Sequence, residues 1–561
     1  MQGGKTMKKI VAFIMFVLML AGTFSIFVGC NPTGEGHVVE DDKTLNVSLY
    51  EAGYGANHFK AIFSQFEDMY SEEGYKINIV NSNSTILGPV VFPELKLGAK
   101  NKIDMYFTGG MTVSNFVDES VKMGFDLAMD LSEIAKKQPI NAQGEEETGK
   151  SIEGKMNPFI KKYMYYSGQH TEYNNKVFFL PIYSSPSSML VNTKVLDAYG
   201  LSMPLTTNDL LNCVNVIAAN GNPGKNGLED VKPIAWGGYN ASAYWYTIED
   251  LMAAQYDGVN EFIQWTSLNG FEDPMDAVEV YERKGFQYSL EVMDTLLDLD
   301  NAHPGTINME VADAQHLFIT GKAAFMANSA WFQNEMFMDY QQYLADIQMM
   351  TMPIISELGV KLGLDGNGGA DRDKTDKILS SVVGMIDNEK TDDEIIQSVS
   401  SEYGVTLTAE QIKGVRDARL IYYDRGYGEG MVVNSFSEKK DIAELLIRFV
   451  ASDDAAMYIR TYANAISPYI PNTPLPTDNL TPYMQSVINY ATRDNVTGIN
   501  RIYPNDNLRT QTGLLPFVDY LDVEMLIATE KKTGRQIWEE CLTRMNDGFW
   551  EEKLKDTGII E

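Results

Sequence analysis

An α/β fold divided between more than one domain is what this sequence predicts, and three observations predict it. Apolar segments of strand length alternate with segments whose apolar residues recur at helical spacing, the pattern of a mostly parallel sheet. The 561 residues exceed the roughly 250–300 at which a single core stops growing. Two apolar stretches meet at "LPIYSSP", where Pro181 and Pro186 bracket a short segment that reads as exposed, as a strand crossing between lobes would.

The elements follow in order. "NPTGEGHVVEDDK", residues 31–43, is polar and reads as a flexible linker. "LNVSLY" alternates as a first strand, with "EAGYG" as its exit loop. "ANHFKAIFSQFEDMY" places Phe59, Ile62, Phe63 and Phe66 on one helical face. "KINIV" and "IDMYFTGG" read as the next strands, and "VDESVKMGF" as helical. After the proline-bracketed crossing, "MPLTTNDLLNCVNVIAANG" opens with Thr206 or Thr207 as a helix cap and ends at Gly221. Gly321 closes the helix "VADAQHLFIT", since glycine takes the left-handed C-cap conformation without a Cβ penalty. Ala323 to Ala327 then predicts a buried strand, and Asn328 or Ser329 the cap of a new helix with Trp331 in its first turn. That places Trp331 beyond the carboxyl end of a strand, where open α/β sheets bind ligands; packing between helix and sheet is the alternative. Residues 354–427 change texture, with the polar loop "GLDGNGGADRDKTD" and capping boxes at Thr391–Glu394 and Thr408–Gln411, and predict a small helical insertion. No repeat of 20–50 residues points to a solenoid.

Composition narrows the function. A net charge of −32 argues against nucleic acid and anionic headgroups as partners. The five histidines, His37, His58, His170, His303 and His316, form no H-E-x-x-H or other close ligand pair, so no metal is expected. Neither a G-x-S-x-G elbow nor a phosphate loop is present. "DGNGGADRDKTD" has the outline of a calcium loop, but Ala370 stands at the turn glycine and Asp376 at the bidentate glutamate, so a solvated loop is expected. Spacing neither locates nor excludes a glycosidase pair among 77 acidic residues. Cys213 and Cys541 are left as one disulfide or two buried thiols.

The opening residues differ from the rest. Lys8 and Lys9 precede an uncharged apolar run, Ile10 to Val28, that ends at "FVGC". This resembles a bacterial lipoprotein signal peptide, residues 1–30, cleaved before Cys30 so that its thiol carries diacylglycerol. Translation starts at Met1 or Met7. The resemblance implies a mature protein tethered outside the cytoplasmic membrane.

Aromatic residues carry the binding signal. "AWGGYNASAYWY" gathers Trp236, Tyr239, Tyr244, Trp245 and Tyr246 among Gly, Asn and Ser. Such rings suit a surface that is half apolar and half wet. Sugars are ligands of that kind, with C–H faces that stack and hydroxyls that need fixed polar partners. Asp104, Asn240 and Asn328 are the candidates for those partners. Core packing is the alternative for each ring singly, and at least two of the five are expected to face a ligand.

The order of motifs resembles the extracellular solute-binding lipoproteins of bacterial ABC importers, carbohydrate-binding family 1. The resemblance rests on Asn192, Lys194, Gly200, Leu201, Pro204, Thr206 and Asp209, on "FITGKAAFMANSAWF", and on "SFSEKKDIAELLIRFVASDDA". It implies a two-lobed, periplasmic-binding-protein-like α/β fold with hinge strands. Lobe one would hold residues 44–182 and 428–466, and lobe two 183–353 and 467–561. Its cleft residues fall on Glu51, Tyr54, the Asp104–Gly110 region, Tyr183, the Tyr239–Trp245 cluster and Trp331. The implied activity is binding without turnover or cofactor, by a monomer that delivers a carbohydrate, an oligosaccharide by the number of rings, to ABC permease subunits. A receptor for a peptide or other polar solute shares the fold, and an exported carbohydrate-active enzyme is the third class.

Overall fold

The structure, a computed structural model, describes residues 37–225, 227–240, 244–477, 480–501, 508–512 and 523–561. Cys30 lies outside the described residues. Among the described residues no helix is long and apolar enough to cross a membrane.

Two sheets each carry a buried cluster on either face. In the first, β1 (Thr44–Tyr50) lies between β2 (Lys76–Asn83) and β3 (Met105–Thr108), parallel to both. Beyond β3 run β10 (Gly430–Val433) and β4 (Leu180–Pro181), giving the order β2-β1-β3-β10-β4. All seven residues of β1 are buried, because helices cover both faces of the sheet. The helix Asn57–Met69 buries the predicted Phe59, Ile62, Phe63 and Phe66 on one face. The helix Lys440–Val450 buries Ile442, Leu446, Ile447 and Phe449 in the same core, although it lies far along the chain.

In the second sheet, β5 (Pro186–Asn192) pairs antiparallel with β7 (Ala323–Ser329), β8 (Ile347–Met349) and β9 (Ile421–Asp424). β6 (Lys232–Ile234) and β11 (Thr497–Ile499) complete the order β11-β9-β5-β7-β6. The topology is thus mixed rather than mostly parallel, because the chain re-enters each sheet from the other. Thr206 caps the helix Thr207–Ala219 in a capping box with Asp209.

The helices Arg372–Asp387, Asp392–Tyr403 and Ala409–Arg419 fill the stretch where a helical insertion is expected, the last two opening on the predicted capping boxes. Val382, Val383, Val399 and Val415 join the core of the second sheet. The end of that stretch, Ile421–Asp424, is β9, a strand of the sheet itself. Asp365 organises the glycine-rich loop by accepting the backbone N–H groups of Asn367, Gly369 and Asp371 at 2.7–2.9 Å, which holds its carboxyl below the usual range. No group of three metal-ligating side chains occurs among the described residues. Cys213 and Cys541 are free, buried thiols.

Candidate functional site

The lobes are joined where the chain leaves one sheet for the other. Residues 182–185 link β4 to β5, and residues 425–429 link β9 to β10. Ser184 donates its N–H to the Ile466 carbonyl at 2.9 Å, so a third passage, near Ile466, lies against the first. The segment read as exposed is buried, from Ile182 through Ser185, because the other passages cover it. Beyond Ile466 the chain stays briefly with the first sheet, where Tyr469 is buried and donates to the Pro181 carbonyl at 2.9 Å.

One carboxylate ties these passages together. Asp424, fully buried, accepts from the Ser184 hydroxyl and from the N–H groups of Ser185 at 2.9 Å and Gly426 at 2.8 Å. Burial raises its pKa and those hydrogen bonds oppose the rise. Gly426 has no room for a side chain: a Cβ there would lie 2.4 Å from the Tyr183 carbonyl oxygen.

Aromatic rings from both lobes meet at this hinge. Tyr54 ends the short helix Ala52–Tyr54 after β1, and its ring lies 4.5 Å from Tyr183 and 6.2 Å, edge-on, from Trp331. Its hydroxyl bonds to the Ser185 hydroxyl at 2.9 Å. Trp331 donates its indole N–H to the Tyr244 hydroxyl at 2.9 Å. The Arg425 guanidinium lies 5.0, 5.3 and 5.4 Å from the ring centres of Tyr244, Tyr246 and Trp331. His58, hydrogen-bonded to the Tyr183 hydroxyl, is pushed by burial down to about 3 and is neutral. Burial pushes the Glu335 and Glu429 carboxyls up to about 7, opposed at Glu335 by a hydrogen bond from Gln315 and at Glu429 by the charge of Arg425.

Of the residues proposed from sequence, Tyr54, Tyr183, Tyr244 and Trp331 come together. Glu51 lies beside them at the end of β1, accepting from Ser82 at 2.6 Å. Trp236 and Trp245 are buried in the core of the second sheet, the packing alternative. Tyr239 is 63% exposed and has no ring contact with the cluster among the described residues. Asn240 lies in the turn Gly238–Asn240 and its side chain is outside the described residues. Asn328 does not cap a helix: with Ser329 it remains in β7, paired to Ser188 and Ser187, and is fully buried. The helix begins at Phe332, so Trp331 is its N-cap residue rather than a member of its first turn.

Asp104 is also elsewhere. It precedes β3, level with Asn46, at the end of the strand away from Thr108 and the cleft loop. There it accepts from Asn46 N–H at 2.8 Å, Ser437 at 2.7 Å and Lys439 at 3.1 Å. Asp104→Ala is expected to lower stability by about 2 kcal/mol, since buried donors lose their acceptor, and to leave ligand affinity unchanged. Urea unfolding and titration calorimetry on the same variant check both halves.

Arg425, Glu429 and Glu335 were not among the site residues proposed from sequence, whereas Tyr246 belongs to the five rings of which at least two were expected to face a ligand. The signal available was "YYDRGYGEG", an apolar strand breaking into charge and glycine as "LPIYSSP" breaks into proline and serine.

Two α/β lobes, three passages and a ring-lined hinge define a two-lobed binding protein. The chain belongs to the bacterial extracellular solute-binding protein family, whose model matches residues 53–457. No curated protein matches it. Among solved structures it is similar to RafE from Streptococcus pneumoniae (12% identity, TM-score 0.55, covering 92% of this chain and 99% of that one). A chitin oligosaccharide binding protein (13%, TM-score 0.53, 91% and 99%) and maltose-bound MalE3 of T. maritima (13%, TM-score 0.52, 90% and 98%) are similar to it as well. At these identities the likeness is one of fold.

Proposed function

We propose that this protein is a lipid-anchored extracellular receptor that binds a carbohydrate between its lobes and delivers it to an ABC transporter permease. The observation that carries the reading is the convergence of Tyr54, Tyr183, Tyr244 and Trp331, drawn from both lobes and the hinge, on one place. Ring faces stack on the C–H faces of a sugar, while the hydroxyl, carboxyl and guanidinium groups among them meet its hydroxyls. The solved structures of similar fold include RafE in complex with raffinose and maltose-bound MalE3. A sugar touching both lobes binds the closed form better than the open one, and that difference is what drives closure. The anchor is Cys30, carried by the apolar leader before it.

A thermal-shift screen of the purified chain against mono- and oligosaccharides tests the proposal. A sugar at 100 times its dissociation constant adds about 2.7 kcal/mol of stability, a readable rise in melting temperature. Shifts with peptides or other polar solutes and none with any sugar would overturn the carbohydrate assignment.

A further inference from the structure

Arg425, half-buried, differs from the buried arginines. Arg419 holds Asp387 at 2.6 Å, Arg501 holds Asp250 at 2.6 Å, and Arg509 donates to the Thr266 carbonyl at 2.7 Å. Arg425 is anchored by its main chain, which donates to the Ser185 carbonyl at 2.9 Å. Among the described residues its guanidinium has only ring partners, Tyr244, Tyr246 and Trp331, and no ion pair or hydrogen bond. Ring contacts leave the N–H fork without an acceptor among the described residues. These N–H groups are accessible, so an anion entering between the rings can pair with them.

The nearby acids do not supply that anion. Asp424 directs its carboxylate to Ser184, Ser185 and Gly426. Glu429 is close enough to feel the charge of Arg425 but forms no ion pair with it among the described residues, and its buried Oε2 has no partner. Glu429 and Glu335 are both pushed up to about 7, so near neutrality neither offers a full negative charge. The place therefore holds an unused planar fork, a carboxyl oxygen free to meet a hydroxyl, and stacking rings.

Resting on the carbohydrate reading above, we propose that the ligand is an acidic glycan bearing a carboxylate, a uronic acid, and that Arg425 binds that carboxylate. A guanidinium fork matches a carboxylate through two parallel N–H···O bonds. Trp331 and Tyr244, which flank the guanidinium, then flank the sugar ring that carries the charge. Glu429 receives a hydroxyl of the same ligand through Oε2.

Titration calorimetry of the full chain in detergent tests this with four probes of equal length: galacturonate and glucuronate oligomers, and their neutral galactose and glucose counterparts. The uronates are expected to bind about 10- to 100-fold tighter than the neutral sugars, the range for a charge-assisted pair. Arg425→Gln should erase that preference, weakening uronate binding more than neutral-sugar binding, and Arg425→Lys should restore part of it. Both variants should melt close to the parent protein without ligand, because only ring contacts of the guanidinium change and no ion pair or hydrogen bond among the described residues is lost. Tight neutral sugars with weak uronates would overturn the acidic-ligand proposal and leave the carbohydrate reading standing. The same result would follow from an Arg425→Gln protein that keeps the uronate preference. Binding of acidic peptides or dicarboxylates with no sugar binding would overturn the carbohydrate reading, and the proposal with it. Preference for a sulfated sugar over the uronate would overturn the carboxylate assignment alone.

Discussion

Trp331→Ala is expected to weaken binding by at least about 2 kcal/mol, roughly 30-fold, and so to remove most of the ligand-induced rise in melting temperature. The size follows from where the ring sits. Its indole N–H holds the Tyr244 hydroxyl at 2.9 Å, its edge faces Tyr54, and Arg425 lies 5.4 Å from its centre. It is also the point at which lobe one rests on lobe two: a Cβ on Gly53 would lie 2.8 Å from the Trp331 Cβ. Alanine removes a stacking face for ligand and an interlobe contact in one step. The unliganded protein should lose less, since the ring is only partly buried and belongs to the rim of its core. Calorimetry and circular dichroism on one preparation separate the two effects. A Trp331→Ala protein that binds its sugar as the parent does would place the site elsewhere.

Asp424→Ala is expected to cost on the order of 4 kcal/mol of stability. It leaves the Ser184 hydroxyl and the N–H groups of Ser185 and Gly426 buried with no acceptor, at about 1–3 kcal/mol for each unsatisfied group. Bulk solvent does not reach these groups, because Ser184, Ser185 and Asp424 are all essentially inaccessible. Asp424→Asn keeps one acceptor and should cost about half as much. Urea unfolding with the slope held constant measures both. Equal stability of all three proteins would show that the hinge does not depend on this carboxylate.

Much of the fold is legible in local pattern. Phe59, Ile62, Phe63 and Phe66 announce one helical face, and they are the residues that helix buries. Thr206, Thr391 and Thr408 announce helix starts, because a cap needs only a side-chain oxygen and the three residues after it. Asn328 and Ser329 carry the same local signal and mislead. Ser188 and Ser187, brought alongside from far earlier in the chain, hold them in the ladder of β7. Asp104 misleads for a related reason: a strand has two ends, and only the sheet decides which one opens into the cleft.

The site was half legible. An aromatic cluster rich in small polar residues signals ring-lined binding, and Tyr244 and Tyr246 do reach Arg425. Trp236 and Trp245, in the same stretch, turn into the core, since which rings face inward depends on the backbone that carries them. Tyr244 has a positive φ of 69°, which sets it apart from the regular helix that follows.

The sequence by itself determined the alternation of strands and helices and a protein rich in rings of mixed apolar and polar character. These are legible because periodicity, caps and composition act over a few residues. Only the tertiary structure decided that Arg425 and Glu429, on one passage between the sheets, meet Tyr54, Tyr183, Tyr244 and Trp331, which come from four separate segments of the chain. Burial and charge at the hinge arise from segments hundreds of residues apart, and no local pattern encodes the field that one of them imposes on another.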